Sequence, residues 1–424
     1  MKKYRIGDIA FFNSRNIDKS FKYKAINYLD TSSITENVID SFQYLDSTKD
    51  KIPSRCKRLV KQNTIIYSSV RPRLKHYGIL SKPDPNVVVS TGFITIDADE
   101  TIIDPYYLYY KLTQQEITDY ISSIADTSVS SYPSIVSEDI ENIEIEIEED
   151  ITKQKQIVKL LKLIDEKIYN SLRILDNIEK IEKNLFSYWF LQFEFPDKNG
   201  KPYKSNGGEF TYNSELKMNI PSQWNLTTLE KCVFLDKGIS YNTSDISSGK
   251  GIPMINLASI GIDKNYKYNE LKYYDNKLDS SKKVYKNDML VACTDLTRNA
   301  DIVGVPIFVP GLDDFYTFST DLCKINIISD DFTKEYLYRL LRSTNFHNYI
   351  KPFASGTNVL HLDINGIYWY KTFIPPKEIQ LKFSKKISAF QELYNQVLID
   401  MKSLTTIKNE LEPMLMNGQI KIEE

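Results

Sequence analysis

"STGFITIDADETIIDPYYLYYKL" (Ser90 to Leu112) lies over "STDLCKINIISDDFTKEYLYRLL" (Ser319 to Leu341) without a gap, at an offset of 229 residues. The two share Ser-Thr at the start and Tyr-Leu-Tyr near the end. Upstream, "KRLVKQNTIIYS" (Lys57 to Ser68) matches "KKVYKNDMLVAC" (Lys282 to Cys293) at 225, and "DIENIEI" (Asp139 to Ile145) matches "DINGIYW" (Asp363 to Trp369) at 224. Near-constant offsets in the same order along most of both halves mean an internal duplication. The 424 residues leave room for two such copies, each with its own core.

Each copy then leads into a long apolar seam. Ile157, Leu161, Ile164, Ile168, Leu172, Leu175, Ile178, Ile181 and Leu185 recur at spacings of three and four. So do Phe383, Ile387, Phe390, Tyr394, Leu398, Met401, Leu404, Ile407, Leu411 and Met414. A helix of about 40 residues is roughly 60 Å long, longer than a small domain is wide. The two seams are therefore expected to pack on each other, antiparallel, about a pseudo-two-fold axis.

The globular part of each copy reads as mixed α and β. "NTIIYSSV", "NVVVSTGFITI" and "DMLVACT" have the β-branched content and turn-forming borders of strands. "PYYLYYKLTQQEITDYISSI" and "TKEYLYRLLRSTNFHNYI" read as helices with Asp104 and Thr333 as N-caps. The fold class expected is α+β: two tandem mixed α/β domains, each followed by a long helix, the helices forming an antiparallel coiled coil. The boundaries expected are 1–150 and 224–377 for the domains, 151–192 and 378–424 for the helices, and 193–223 for a linker.

Formal net charge is −2, so any polyanion partner must meet local positive charge. Lys51 to Lys82 supplies it, with Lys51, Arg55, Lys57, Arg58, Lys61, Arg71, Arg73, Lys75 and Lys82 and no acid. Cys56, Cys232, Cys293 and Cys323 form no C-x-x-C pair, so neither a zinc module nor a disulfide framework is indicated and reduced thiols are expected. "MKKYRIGDIAFF" has no apolar signal core and no run of 18 apolar residues appears, which points to a cytoplasmic protein without a membrane partner.

Catalytic motifs fare poorly. Pro196-Asp197 followed by Glu215-x-Lys217 fits a loose metal-nuclease pattern, but "PDKNGKP" reads as a turn and no strand is expected around Glu215. "DPYY" (Asp104 to Tyr107) is similar to an amino-methyltransferase element, yet its repeat is "TKEY", so helix initiation explains both. His76, His347 and His361 show no metal-ligand spacing, and no phosphate-binding or nucleophile-elbow motif is present. No cofactor or metal is expected in this chain.

A polar reading surface recurs in both copies. Arg73 falls on Arg298 at the offset of 225, each soon after a strand, in "SSVRPRLKHYG" and "ACTDLTRNADIVG". Such a loop can carry a guanidinium to a phosphate or to guanine O6/N7. "ADTSVSSYPS" (Ala125 to Ser134) and "ASGTNVLHLD" (Ala354 to Asp363) add neutral donors and acceptors.

With these features the chain resembles the specificity subunits of type I restriction-modification systems. The resemblance rests on the duplicated domain, the helix after each copy, and "KNLFSYWFLQFEFPDKNGKPYKSNGGEF…IPSQW" between them. It implies a non-catalytic reader of double-stranded DNA, one target-recognition domain per half of an asymmetric bipartite sequence. It also implies two adenine-N6 methyltransferase subunits that bind S-adenosylmethionine, and restriction motor-nuclease subunits that use ATP with magnesium. Candidate DNA contacts are Arg71, Arg73, Lys75, His76 and Tyr77 in the first domain. In the second they are Arg298, Asn299, Lys351, Ser355, Thr357 and Asn358. Alternatives are a related system with a fused methyltransferase-nuclease partner, and a coiled-coil scaffold that binds protein.

Overall fold

The computed structural model describes residues 1–18, 21–127 and 133–422. It separates into two compact units, Met1–Lys167 with Leu404–Glu424, and Ile168–Ser403.

In the first unit a four-stranded antiparallel sheet runs in the order Ala10–Phe12, Phe93–Ala98, Thr64–Ser68, Tyr77–Leu80. A second sheet runs Gln43–Asp46, Ala25–Leu29, Val87–Ser90, Cys56–Leu59, its middle pair parallel. Lys2–Arg5 pairs with Glu144–Ile147, so the first strand meets the last one before the long helix. The second unit repeats all three sheets. Its antiparallel sheet runs Val233–Lys237, Leu322–Ile327, Met289–Ala292, Pro306–Phe308. The mixed sheet runs Ile246–Ser247, Lys272–Tyr274, Ile252–Ile255, Thr317–Phe318, with the last pair parallel. Asn225–Thr228 pairs with Lys371–Ile374. The duplication read from sequence is thus a duplication of topology.

Two expectations need correction in the same way in both copies. "NVVVSTGFITI" is not one strand. Val87–Ser90 belongs to the mixed sheet and Phe93–Ala98 to the antiparallel one. The chain bends at Ser90–Gly92, where Ser90 Oγ accepts the Gly92 amide and a Cβ on Gly92 would stand 2.9 Å from Thr31 Cγ2. The second copy switches sheets at the matching Ser319, between Thr317–Phe318 and Leu322–Ile327. Each tyrosine-rich helix is likewise two. Pro105–Thr113 and Gln115–Asp126 break at Gln114 (ψ 143°), and Lys334–Leu341 and Thr344–Ile350 break at Ser343 (ψ 150°), whose side chain caps the second piece. An extended ψ cannot continue an α-helix, whatever the apolar spacing says.

The predicted caps hold. The Asp104 carboxylate accepts the Tyr106 and Tyr107 amides, and Thr333 Oγ1 accepts that of Tyr336. Behind each cap sits a fully buried glutamine from the start of the long helix. Gln154 Oε1 accepts the Asp104 amide at 2.7 Å, while its Nε2 donates to the Ile102 and Glu148 carbonyls. Gln380 does the same with the Thr333 amide at 3.0 Å and the Asp331 and Pro375 carbonyls. Each glutamine satisfies three buried backbone groups and fastens its long helix to the domain before it.

The long helices are Ile151–Phe186 and Lys377–Met416. Inside the first unit, Ile157, Val158 and Leu161 share a core with Leu415 and Met416, and Asp165 pairs with Lys408 at 2.6 Å. Inside the second, Leu175 shares a core with Leu398 and Met401, Glu182 accepts from Gln391 at 2.6 Å, and Phe186 meets Phe383. In each unit residue numbers rise on one helix as they fall on the other, which is antiparallel pairing. The seam is less dry than its spacing suggests: Leu172, Ile181, Ile407 and Met414 are exposed, and Glu182 takes a fully buried position.

The segment after the first long helix is part of the second unit's core. Trp224 is buried against Phe190, Phe193, Phe195 and Phe373 at centroid distances of 4.9 to 6.1 Å.

Candidate nucleic-acid interface

In the first unit the loop Ser69–His76 leaves the antiparallel sheet and is held on two sides. On one, Arg71 donates its amide to the Pro133 carbonyl and Ile135 to that of Ser69. On the other, the hairpin Ile34–Thr35/Val38–Ile39 clasps it: Glu36 and Asn37 donate their amides to Lys75 and Tyr77, and Asn37 Oδ1 accepts the Ile79 amide at 2.8 Å. Arg71 and Lys75 have positive φ (48° and 54°), which turns the loop outward. The Arg73 side chain is 70% exposed and pairs with Asp126, and Lys75 pairs with Glu36 at 2.9 Å. His76 Nδ1 lies 2.6 Å from the Ile34 carbonyl, which can only accept, so that nitrogen donates a proton to it. Tyr77 departs from the candidate set. Its ring is buried, stacked on Tyr67 at 5.5 Å and edge-on to Tyr109, and burial pushes its hydroxyl far above the usual tyrosine range. Ser128 to Tyr132 of the Ala125–Ser134 loop lie outside the described residues.

The basic stretch Lys51–Lys82 does not form one face. Arg55 to Arg58 lie at and along the edge strand Cys56–Leu59 of the mixed sheet, and Arg71 to Lys75 beyond the other sheet. Arg58 stands out among them: it is half-buried, its Nε has no hydrogen-bond partner among the described residues, and desolvation lowers the guanidinium pKa. An approaching anion would satisfy that group.

The second unit brings its candidates together. Thr294–Asp295 pairs with Leu360–Leu362, which pairs with Ala354–Ser355, in a small three-stranded sheet. One edge carries the exposed Arg298 and Asn299, and the other carries the exposed Ser355, Thr357 and Asn358. Gly356 has φ +146°, and a Cβ there would strike the Val359 carbonyl at 2.0 Å, so this tight turn needs glycine. Lys351 reaches Asp301 at 4.0 Å, tying the two edges. Near them His347 is pushed down to about 4 by burial and by the cations Lys264 and Lys351, a sign of positive local potential.

Two residues escaped the sequence reading. His361, dismissed there, is exposed on the middle strand, in register with Thr294 and Ser355. Asp295 is fully buried beneath the Arg298 loop. Only the strand pairing shows the first, and only the hydrogen bonds show the second.

The residues of the nuclease pattern are engaged in local contacts. Asp197 accepts the Asn199 and Lys201 amides and the Asn206 side chain, closing a turn. Glu215 pairs with Lys371 at 2.8 Å. A hairpin does surround Glu215 and Lys217, contrary to expectation, but both sit in its turn between Phe210–Asn213 and Met218–Pro221. Among the described residues no cluster of His, Cys, Asp and Glu could hold a metal ion, and no helix is long and apolar enough to cross a membrane.

Comparison with known proteins places this architecture. Residues 1–180 match the type I restriction modification DNA specificity domain. The chain is 24% identical to the type I restriction enzyme HindI specificity subunit of Haemophilus influenzae, over 99% of each chain. It is also 24% identical to the MjaIX specificity subunit of Methanocaldococcus jannaschii, covering 92% of this chain and 87% of that one. The crystal structure of a type I restriction-modification S subunit from M. genitalium shares the fold, with a TM-score of 0.53 at 15% identity across 98% of this chain and 96% of its own. Residues 1–180 thus carry a type I DNA specificity domain, and along its whole length the chain is similar to the specificity subunits of type I restriction-modification systems.

Proposed function

We propose that this chain is the sequence-reading part of a type I restriction-modification complex and that it recognises an asymmetric bipartite DNA target. The observation that carries the reading is one topology used twice with different polar residues at the same place. After matching strands, Ser69–His76 presents Arg71, Arg73 and Lys75, while the second copy presents Arg298 and Asn299 beside Ser355, Thr357 and Asn358. Two related but unlike readers joined by helices select two unlike half-sites at a set separation, as paired DNA-binding modules do. Residues 1–150 and 224–377 are the two readers in this proposal, and 151–192 and 378–424 the spacer between them.

The chain supplies no reaction of its own. Two methyltransferase subunits would dock on it and modify adenine N6 with S-adenosylmethionine, and restriction subunits would use ATP and magnesium. This chemistry belongs with cellular DNA, in the cytoplasm. A net charge of −2 leaves little for non-specific phosphate binding, so partner subunits must provide much of the neutralisation. The isolated chain should bind DNA weakly and lose binding steeply with salt, and the assembled complex should bind specifically; nanomolar sequence-specific binding by the purified chain alone would contradict this.

The direct test is co-expression with the candidate methyltransferase subunits, co-purification, and mapping of methylated adenines in cells with and without this chain. A single bipartite motif that depends on the chain supports the proposal. A stable complex with no sequence preference on DNA would leave only scaffolding.

A further inference from the structure

We infer that Asp295 is the positioning residue of the second reader, setting its base preference without touching DNA. The inference rests on the DNA-reading function proposed above. Asp295 is fully buried at the foot of the loop that carries Arg298 and Asn299. One carboxylate oxygen accepts the Thr297 amide at 2.6 Å, and the other accepts those of Ile302 and Val303 at 2.7 and 3.0 Å. The loop is thereby gripped at both ends by one side chain. Inside it, Thr297 Oγ1 accepts the Asp301 amide at 2.9 Å, and Ala300 takes φ +52°. The backbone of Asp295 is paired with Leu360, so the same residue fixes the loop's register against the strand next to Ser355 and Thr357.

Three amides on a buried carboxylate are charge-assisted bonds that few thermal motions break, and base discrimination needs a guanidinium held to within a fraction of its hydrogen-bond length. The first reader has no such carboxylate. At the offset of 225 its residue is Val70, and its loop is clasped from outside by the Ile34–Ile39 hairpin. A change at Asp295 should therefore be felt in one half-site alone.

The test uses the full chain assembled with its methyltransferase subunits and a map of methylated adenines. Asp295→Asn keeps the shape but turns a donor toward one set of amides. The expected result is that sites mismatched in the second half gain methylation by about tenfold or more over the unaltered complex, while the first half stays as strict. Ile325→Ala, in the antiparallel sheet from which the loop departs, serves as a stability control and should lower yield without changing the motif. If Asp295→Asn does not assemble, Asp295→Glu keeps the charge but shifts the carboxylate by one methylene from the three amides it holds, and must give the same one-sided relaxation. An unchanged motif, or equal relaxation of both halves, overturns the inference. An unaltered complex with no bipartite motif overturns the parent reading and this inference with it, a failure visible before any substitution is made.

Discussion

Arg73 shows what a sequence can and cannot say about a candidate reading residue. Its recurrence as Arg298 was visible in the chain alone, because a duplication aligns functional loops as well as cores. Its partner was not: Asp126 lies 53 residues away and meets it only through the packing of Gln115–Asp126 on the loop. If Arg73 reads guanine, Arg73→Ala should cost about 1–3 kcal/mol and relax one base position in one half-site, measured by competition binding with single-mismatch duplexes. Arg58 belongs to another class. Its guanidinium is partly desolvated and its Nε lacks a partner among the described residues, which fits a phosphate contact, so Arg58→Ala should weaken all sequences alike and lower the salt slope by about 1 in a titration of affinity against ionic strength. Tyr77 was a candidate contact that is buried, and Asp295 was not singled out at all, for the same reason. Exposure is set by strand pairing at long range, and local sequence carries little of it.

At the scale of elements, the paired glutamines are the clearest structural signature. Gln154 and Gln380 each bind an amide and two carbonyls where a domain meets its helix, and neither is distinguishable in the sequence from a solvent-facing glutamine of an amphipathic helix. Gln380→Leu should destabilise the chain by about 1–3 kcal/mol in denaturant unfolding, because it strands buried polar groups. The helix pairing was legible from spacing, but its polar interruptions were not. In the second unit Arg339 meets Glu179 at 2.8 Å and Glu182 at 3.5 Å, and Gln391 donates to Glu182. In the first, the Tyr110 hydroxyl donates to Asp165, which pairs with Lys408. Burial pushes Glu182 up to about 7 from 4.5, against the pull of Arg339. The folded protein holds that proton more tightly than the unfolded chain, so the stabilising contribution is complete below pH 4.5 and is lost as pH rises through about 7. Glu182→Gln should therefore gain stability relative to the unaltered chain by up to about 3 kcal/mol between pH 4.5 and about pH 8. Thermal melts of both proteins across that range check it, and parallel pH profiles would contradict it.

At the scale of the whole molecule, the duplication was the most legible fact, since the antiparallel sheet recurs strand for strand and the mixed sheet keeps one parallel pair, in the middle of the first copy's sheet and at the edge of the second's. The sheet switch at Ser90 and Ser319 and the helix breaks at Gln114 and Ser343 were hidden because apolar spacing runs through each bend unbroken. What duplication implies for function is independence: each copy has its own loop, its own clamp and its own half-site. The measurement that tests this most directly is a base-resolution map of methylated adenines for complexes carrying Arg73→Ala and, separately, Arg298→Ala with Asn299→Ala. Two readers predict that the first variant relaxes one half of the motif, the second relaxes the other half, and the spacer between the halves stays constant in both. Relaxation of the same half by both variants, or a changed spacer with intact halves, would contradict the account.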